Sequence, residues 1–249
     1  MLIGAQLYTL REHCKTLEGL SLSLKKVADM GYRYVQVSGT CDYDPVWLRD
    51  ELKKNGLACV LTHTTAARLT GDIQSVIAGH RVFGCEHIGL GMWKLDMDRL
   101  EESYTSFLHT YLPVMRAVKD AGLTFMYHNH DQEFAKLENE PVLWRMARDT
   151  ESEGMGFTMD TYWVQRGGDD RGRCLERLNG RVPCIHLKDY GYGAKMLPVG
   201  EGNIHFDRVF EKAEKSGTRF MLVEQDDCNG EDPFDCLKRS LSYLRSRGF

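Results

Sequence analysis

One unit recurs eight times along this chain: a short apolar run rich in Val, Ile, Phe or Tyr, then an amphipathic stretch that closes near a glycine. The runs predict strands at 2–9, 33–38, 57–63, 86–90, 123–129, 155–160, 182–188 and 219–225. Each is short and bounded by turn residues, the pattern of parallel strands covered on both faces. Between them, apolar residues recur at helical spacing, as in Leu17, Leu20, Leu24, Val27 and Met30 and again across 98–121. Glycines 31, 56, 84, 122 and 217 precede strands, as helix C-caps should. Pro141 and Pro233 mark first helical turns, with Asp232 as an N-cap. Alternating βα units imply a parallel sheet. Eight units in 249 residues, with no linker or composition shift, predict an α/β fold that is one (β/α)8 TIM barrel domain over 1–249. An open doubly wound sheet is disfavoured, because no GxGxxG loop follows an early strand.

Composition narrows the partners. The formal net charge is −4, with both signs interleaved and no basic stripe, which argues against nucleic acid. No stretch approaches the roughly 20 apolar residues of a membrane span, and the N-terminal segment does not read as a signal peptide. The eight cysteines are scattered, without a CxxC pair, and several lie inside apolar runs. The expectation is a cytoplasmic enzyme acting on a small molecule, with no membrane partner and a homo-oligomer left open.

In such a barrel the chemistry lies where strands end and βα loops begin. The fifth run, Thr124–Tyr127, enters His128-Asn129-His130-Asp131-Gln132-Glu133-Phe134. The sixth ends in Asp160, the seventh runs into His186-Leu187-Lys188-Asp189, and the eighth into Glu224-Gln225-Asp226-Asp227. An unpaired carboxylate at a barrel mouth costs several kcal/mol of solvation. Acids and a histidine at equivalent ends of three consecutive strands therefore point to one divalent ion: Mn²⁺ (manganese), Mg²⁺, Co²⁺ or Zn²⁺. The HNH triplet is not read as a nuclease motif, which belongs to a small ββα metal fold.

These residues resemble the sugar phosphate isomerase/epimerase superfamily, the xylose isomerase-like barrels. The resemblance spans the chain and is most specific in Tyr127-His128-Asn129-His130 with Glu133-Phe134, Met159-Asp160-Thr161-Tyr162-Trp163, His186-Leu187-Lys188-Asp189, Pro198-Val199-Gly200-Glu201-Gly202 and Val223-Glu224-Gln225. It implies metal ligation by Asp160, His186 and Glu224. The family's strand-five glutamate is replaced in register by His128. Either His128 ligates in its place or Glu133 folds back from the loop, and Glu133 is the reading adopted.

The implied function is a metal-dependent isomerase or epimerase for a keto-sugar or related polyol, working through a metal-stabilised enediolate. Glu224 is the first candidate base and His128 or His130 the second, with Lys188 neutralising the developing oxyanion. Tyr8 and Trp163, with Trp93 a weaker candidate, would form the platform under the ring. The rivals are a dehydratase or lyase on an inosose or 3-keto-glycoside, an apurinic endonuclease, and an inactive barrel acting as a binding protein. Substrate choice is expected to reside in loops 40–46, 63–72, 91–97 and 190–203.

Overall fold

The computed structural model of the protein describes residues 1–249. Eight parallel strands close into a barrel, each hydrogen-bonded to its neighbours in chain order. They are β1 (Leu2–Gln6), β2 (Tyr34–Val37), β3 (Ala58–His63), β4 (His87–Leu90), β5 (Thr124–His128), β6 (Gly156–Asp160), β7 (Cys184–Leu187) and β8 (Phe220–Val223). The (β/α)8 expectation is met, and all eight strands lie within the predicted runs.

Ten helices cover the outside: α1 (Leu17–Met30), α2 (Pro45–Lys54), α3 (Ala66–Gly71), α4 (Ile73–Phe83), α5 (Leu100–Asp120), α6 (Val142–Asp149), α7 (Thr161–Arg166), α8 (Arg171–Arg177), α9 (Phe206–Lys215) and α10 (Pro233–Ser246). Their stops follow the sequence signals. Gly31 ends α1 at φ 108°, a left-handed conformation that a side chain would strain. Asp232 caps α10, its side chain accepting from the Phe234 N–H, with Pro233 in the first turn. The predicted stripe of α1 is narrower than its spacing suggested. Leu20, Leu24 and Val27 are buried, whereas Leu17 is exposed.

One boundary differs from the sequence reading. The first strand stops at Gln6, and Leu7–His13 forms a 3-10 helix. The Gln6 side chain accepts the Tyr8 N–H at 3.2 Å, and Thr9 Oγ1 accepts the Gln225 N–H at 2.9 Å. These bonds turn the chain across the barrel top while Leu7 and Leu10 remain buried. The strand pattern could not reveal a turn whose partner lies more than two hundred residues away.

The apolar core has two parts. The larger lies between sheet and helices; the smaller, Val60, Leu61, Met126, Cys184, Phe220 and Leu222, includes the side chains that plug the barrel. His80 on α4 is the conspicuous polar group of the outer layer. Its Nδ1–H donates to Val76 O at 2.8 Å, and Nε2 stands 2.8 Å from Thr62 Oγ1. Burial pushes its pKa down to about 4. Because the folded value lies below the unfolded one of about 6.5, the protein binds this proton less well than its unfolded chain. Stability from His80 is therefore complete above about pH 6.5 and declines towards pH 4, by about 3 kcal/mol in all. Thermal unfolding across that range should show the decline, and His80→Gln should remove this component of the slope.

Candidate active site

Side chains on a strand alternate between its two faces, so residues two apart share a direction. The plug residues therefore aim the polar residues beyond them. Met126 is followed by His128, Thr158 by Asp160, Cys184 by His186 and Lys188, and Leu222 by Glu224 and Asp226. Cross-strand register completes the convergence, with His128 opposite Thr158 and Asp160 opposite His186.

Four ligand atoms, one each from His128, Asp160, His186 and Glu224, lie within 4.8 Å of one another, and all four residues are buried. His128 Nε2 is 3.3 Å from Asp160 Oδ2 and 3.1 Å from His186 Nδ1. His186 Nδ1 is 2.8 Å from Glu224 Oε2. The outer nitrogens are anchored from behind. His128 Nδ1 donates to Gly91 O at 3.0 Å, and His186 Nε2 to Gln36 Oε1 at 2.6 Å. A carbonyl oxygen only accepts, so His128 carries its proton on Nδ1 and presents the Nε2 lone pair to the group. Asp160 is oriented by the Tyr162 and Trp163 N–H groups on its Oδ1, at 2.9 and 3.0 Å, and it caps α7. Its own N–H donates to Asn129 Oδ1 at 3.0 Å, which gives the middle residue of the HNH triplet a positioning role.

Lys188 lies within this group with no exposed surface. Its Nζ is 3.1 Å from Asp160 Oδ2, 2.9 Å from Glu224 Oε2 and 2.8 Å from Asp226 Oδ2. Burial alone would raise the Asp160 and Glu224 pKa values, but the ammonium and the facing imidazoles hold both carboxyls well below the ordinary range. Three carboxylates still share one ammonium. Burial disfavours a charge on His186, yet Glu224 and Asp160 overcome it and lift that pKa to about 9. Burial and the Glu224 charge push Asp226 up to about 6. The protein thus draws protons towards a centre whose negative charge exceeds its resident cation. A divalent ion would displace such protons and meet two imidazole and two carboxylate donors. The buried group could hold a metal ion.

Glu133 does not join it. The loop after β5 turns this carboxylate inward, where Oε1 accepts from Tyr127 Oη at 2.6 Å and Gln132 Nε2 at 2.8 Å. Its Oε2 accepts from the His130 N–H at 2.6 Å. Burial pushes its pKa up to about 7 against those three bonds. With both oxygens engaged, Glu133 braces the loop, and His128 occupies the place beside Asp160 and His186.

The group opens into a cavity of about 560 Å³ lined by Tyr8, Ser38, His63, Thr64, Leu90, Met92, His130, Trp163, Glu224 and Asp226 among others. Tyr8 and Trp163 therefore reach the pocket. Trp93 instead packs on Phe107 and Tyr111. His130 lies 5.0 Å from the Trp163 ring, and its Nδ1 is buried without a hydrogen-bond partner. Burial and the neighbouring His128 push its pKa down to about 3, so it is neutral at physiological pH rather than poised near neutrality. Of the four expected loops, 63–72 and 91–97 contribute to the wall, whereas 40–46 and 190–203 do not. The last is folded on itself by buried Asp189, which accepts from the N–H groups of Tyr190, Gly200, Gly202 and Ile204.

Sequence reasoning missed Gln36, His63 and Asp226. Each follows an inward residue by two positions, Tyr34, Leu61 and Glu224 respectively, so the alternation rule applied to every strand end would have found them.

The family described as xylose isomerase-like TIM barrel matches residues 24–247. The chain belongs to this family. Among curated relatives, inosose dehydratase of Mesomycoplasma hyopneumoniae is 26% identical over 149 residues, which cover 51% of this chain and 49% of the relative. The chain thus spans about half the length of the curated relatives it matches. Among solved structures, a sugar phosphate isomerase/epimerase from Parabacteroides distasonis superposes with a TM-score of 0.83 at 20% identity, covering 99% of this chain and 94% of that one. An L-ribulose 3-epimerase superposes with a TM-score of 0.76 at 16% identity, over 99% and 94% of the two chains. At such identities the structural likeness concerns the fold. No helix is long and apolar enough to cross a membrane.

Proposed function

We propose that this protein is a divalent-metal-dependent isomerase or epimerase acting on a small keto-sugar or related polyol ketone. The observation that carries this reading is the buried His128, Asp160, His186 and Glu224 group at the base of an open pocket. These four residues would hold the ion, with Mn²⁺ or Mg²⁺ suited to the two carboxylates and Co²⁺ or Zn²⁺ to the imidazoles. The ion would supply Lewis acidity towards a carbonyl oxygen and a neighbouring hydroxyl. Glu224, ionised and lining the pocket, would remove the proton from the carbon between them. Lys188, within 3.1 Å of both metal-side carboxylates, would offset the charge that accumulates there. Neutral His130 would hydrogen-bond a substrate hydroxyl through its unpartnered Nδ1. Trp163 and Tyr8 would flank the carbon skeleton.

A second reading, a dehydratase, is favoured by the inosose dehydratase relatives. It uses the same proton removal followed by loss of a β-hydroxyl. Elemental analysis followed by NMR of L-ribulose, D-fructose and scyllo-inosose in D₂O tests both. About one metal per chain and deuterium entering next to the ketone are expected, and Glu224→Gln should lower that exchange by about 10²- to 10⁴-fold. An epimeric product supports the first reading and an enone the second. Metal-loaded protein that exchanges no C–H proton would refute both.

A further inference from the structure

His63 has no part in the group described above, yet it stands over it. It ends β3, and its ring stacks on His128 with centroids 5.2 Å apart and planes 27° apart. It also tilts over His186 at 5.7 Å. A Cβ at position 91 would stand 3.0 Å from its Nδ1, so Gly91 is what lets the ring lie there. The Nε2 atom is buried and has no hydrogen-bond partner. A buried polar nitrogen left unpaired is costly unless something else satisfies it. His128 and His186 are tethered through their other nitrogens, whereas His63 is not, and it lines the pocket together with the hydroxyl-bearing Ser38, Thr64 and Thr65.

Two of the cations beside the pocket are neutralised by carboxylates, and a third is held by backbone carbonyls. Lys188 is bound by three carboxylates. Arg11 donates to Tyr8 O at 3.1 Å and Asp226 O at 2.8 Å, and Arg166 pairs with Asp131 at 2.7 Å. The lining itself carries no arginine or lysine, whereas its Glu224 and Asp226 carboxylates would repel a phosphate ester.

We propose that His63 is a substrate-binding residue whose Nε2 hydrogen-bonds a hydroxyl of an uncharged polyhydroxy ketone, and that the pocket takes this compound in preference to its phosphate ester. The inference rests on the proposed function for where the ketone end sits. His63 and the adjacent hydroxyls read the polyol end, and selectivity comes from neutral hydrogen bonds combined with the Glu224 and Asp226 carboxylates in the lining.

Saturation-transfer NMR of Mg²⁺-loaded protein tests it without requiring turnover. The probes are D-fructose, L-ribulose and scyllo-inosose, with D-fructose 6-phosphate and L-ribulose 5-phosphate as competitors. At least one neutral ketone should bind, and His63→Ala should weaken it by about five- to tenfold. His63→Gln, which retains a donor and an acceptor, should recover most of the affinity. Metal content and melting temperature should stay at wild-type values in both variants, and the phosphate esters should displace the neutral ketone only at higher concentration. Unchanged affinity in His63→Ala, metal loss in that variant, no neutral ketone bound by wild type, or tighter binding of a phosphate ester would each overturn the proposal. Binding without C–H exchange would defeat the proposed reaction while leaving His63's role standing; exchange with unaltered His63→Ala affinity would do the reverse.

Discussion

Replacing His128 with alanine is expected to strip the metal from the purified protein, whereas Glu133→Ala should keep it. His128 Nε2 is 3.3 Å from Asp160 Oδ2 and 3.1 Å from His186 Nδ1, with its other nitrogen tied to Gly91 O. Loss of an outer partner alone weakens metal binding by about 10- to 100-fold, so loss of a donor atom should exceed about 100-fold. Glu133 is engaged by Tyr127, Gln132 and the His130 N–H, and its removal should act on the loop. Truncating it leaves three donors without their acceptor, at a cost of about 3 kcal/mol in stability. Metal titration by calorimetry and thermal unfolding of the two variants separate the roles. If Glu133→Ala loses the ion and His128→Ala retains it, the ligand set proposed here is wrong.

The second large effect concerns Lys188. Its Nζ touches Asp160, Glu224 and Asp226 and has no exposed surface. Lys188→Met removes the one cation shared by three carboxylates. Breaking a buried ion pair from one side costs about 3–5 kcal/mol. For a chain of this length that lowers the melting temperature by on the order of 10 °C when metal is chelated. Adding Asp226→Asn to Lys188→Met should restore part of the loss, because it removes one of the stranded charges. The same substitution should tighten divalent-ion binding by at least about tenfold, since the ammonium and the ion repel across a few ångströms. Melting curves in chelator and in Mn²⁺ give both quantities. Unchanged stability in chelator, or weaker metal binding, would show that Lys188 does not carry this charge balance.

The uneven legibility of the site follows from the kind of information each residue carries. Asp160, His186 and Glu224 were visible because each ends an apolar run that must be a buried strand, where a charged residue needs a reason. His63 ends a run in the same way, but a histidine among threonines carries no such cost signal. Glu133 was read as a ligand for a different reason. The motif resemblance supplied the idea of a carboxylate near the fifth strand, while the path of the loop after His130 depends on Tyr127 and Gln132 donating to that carboxylate.

The eightfold alternation and the acid or histidine at the end of each late apolar run belong to the sequence alone. Together they determined a closed parallel barrel and the end at which its chemistry gathers, because periodicity in a strand is local and burial must be consistent along it. Only the tertiary structure decided that His128 rather than Glu133 faces Asp160, that Lys188 is enclosed by three carboxylates, and that His63 overlies the group with one nitrogen unpaired. Those facts depend on which loop finds which partner across the barrel, and on how a low-dielectric interior distributes a few charges. Neither is encoded within any single stretch of the chain.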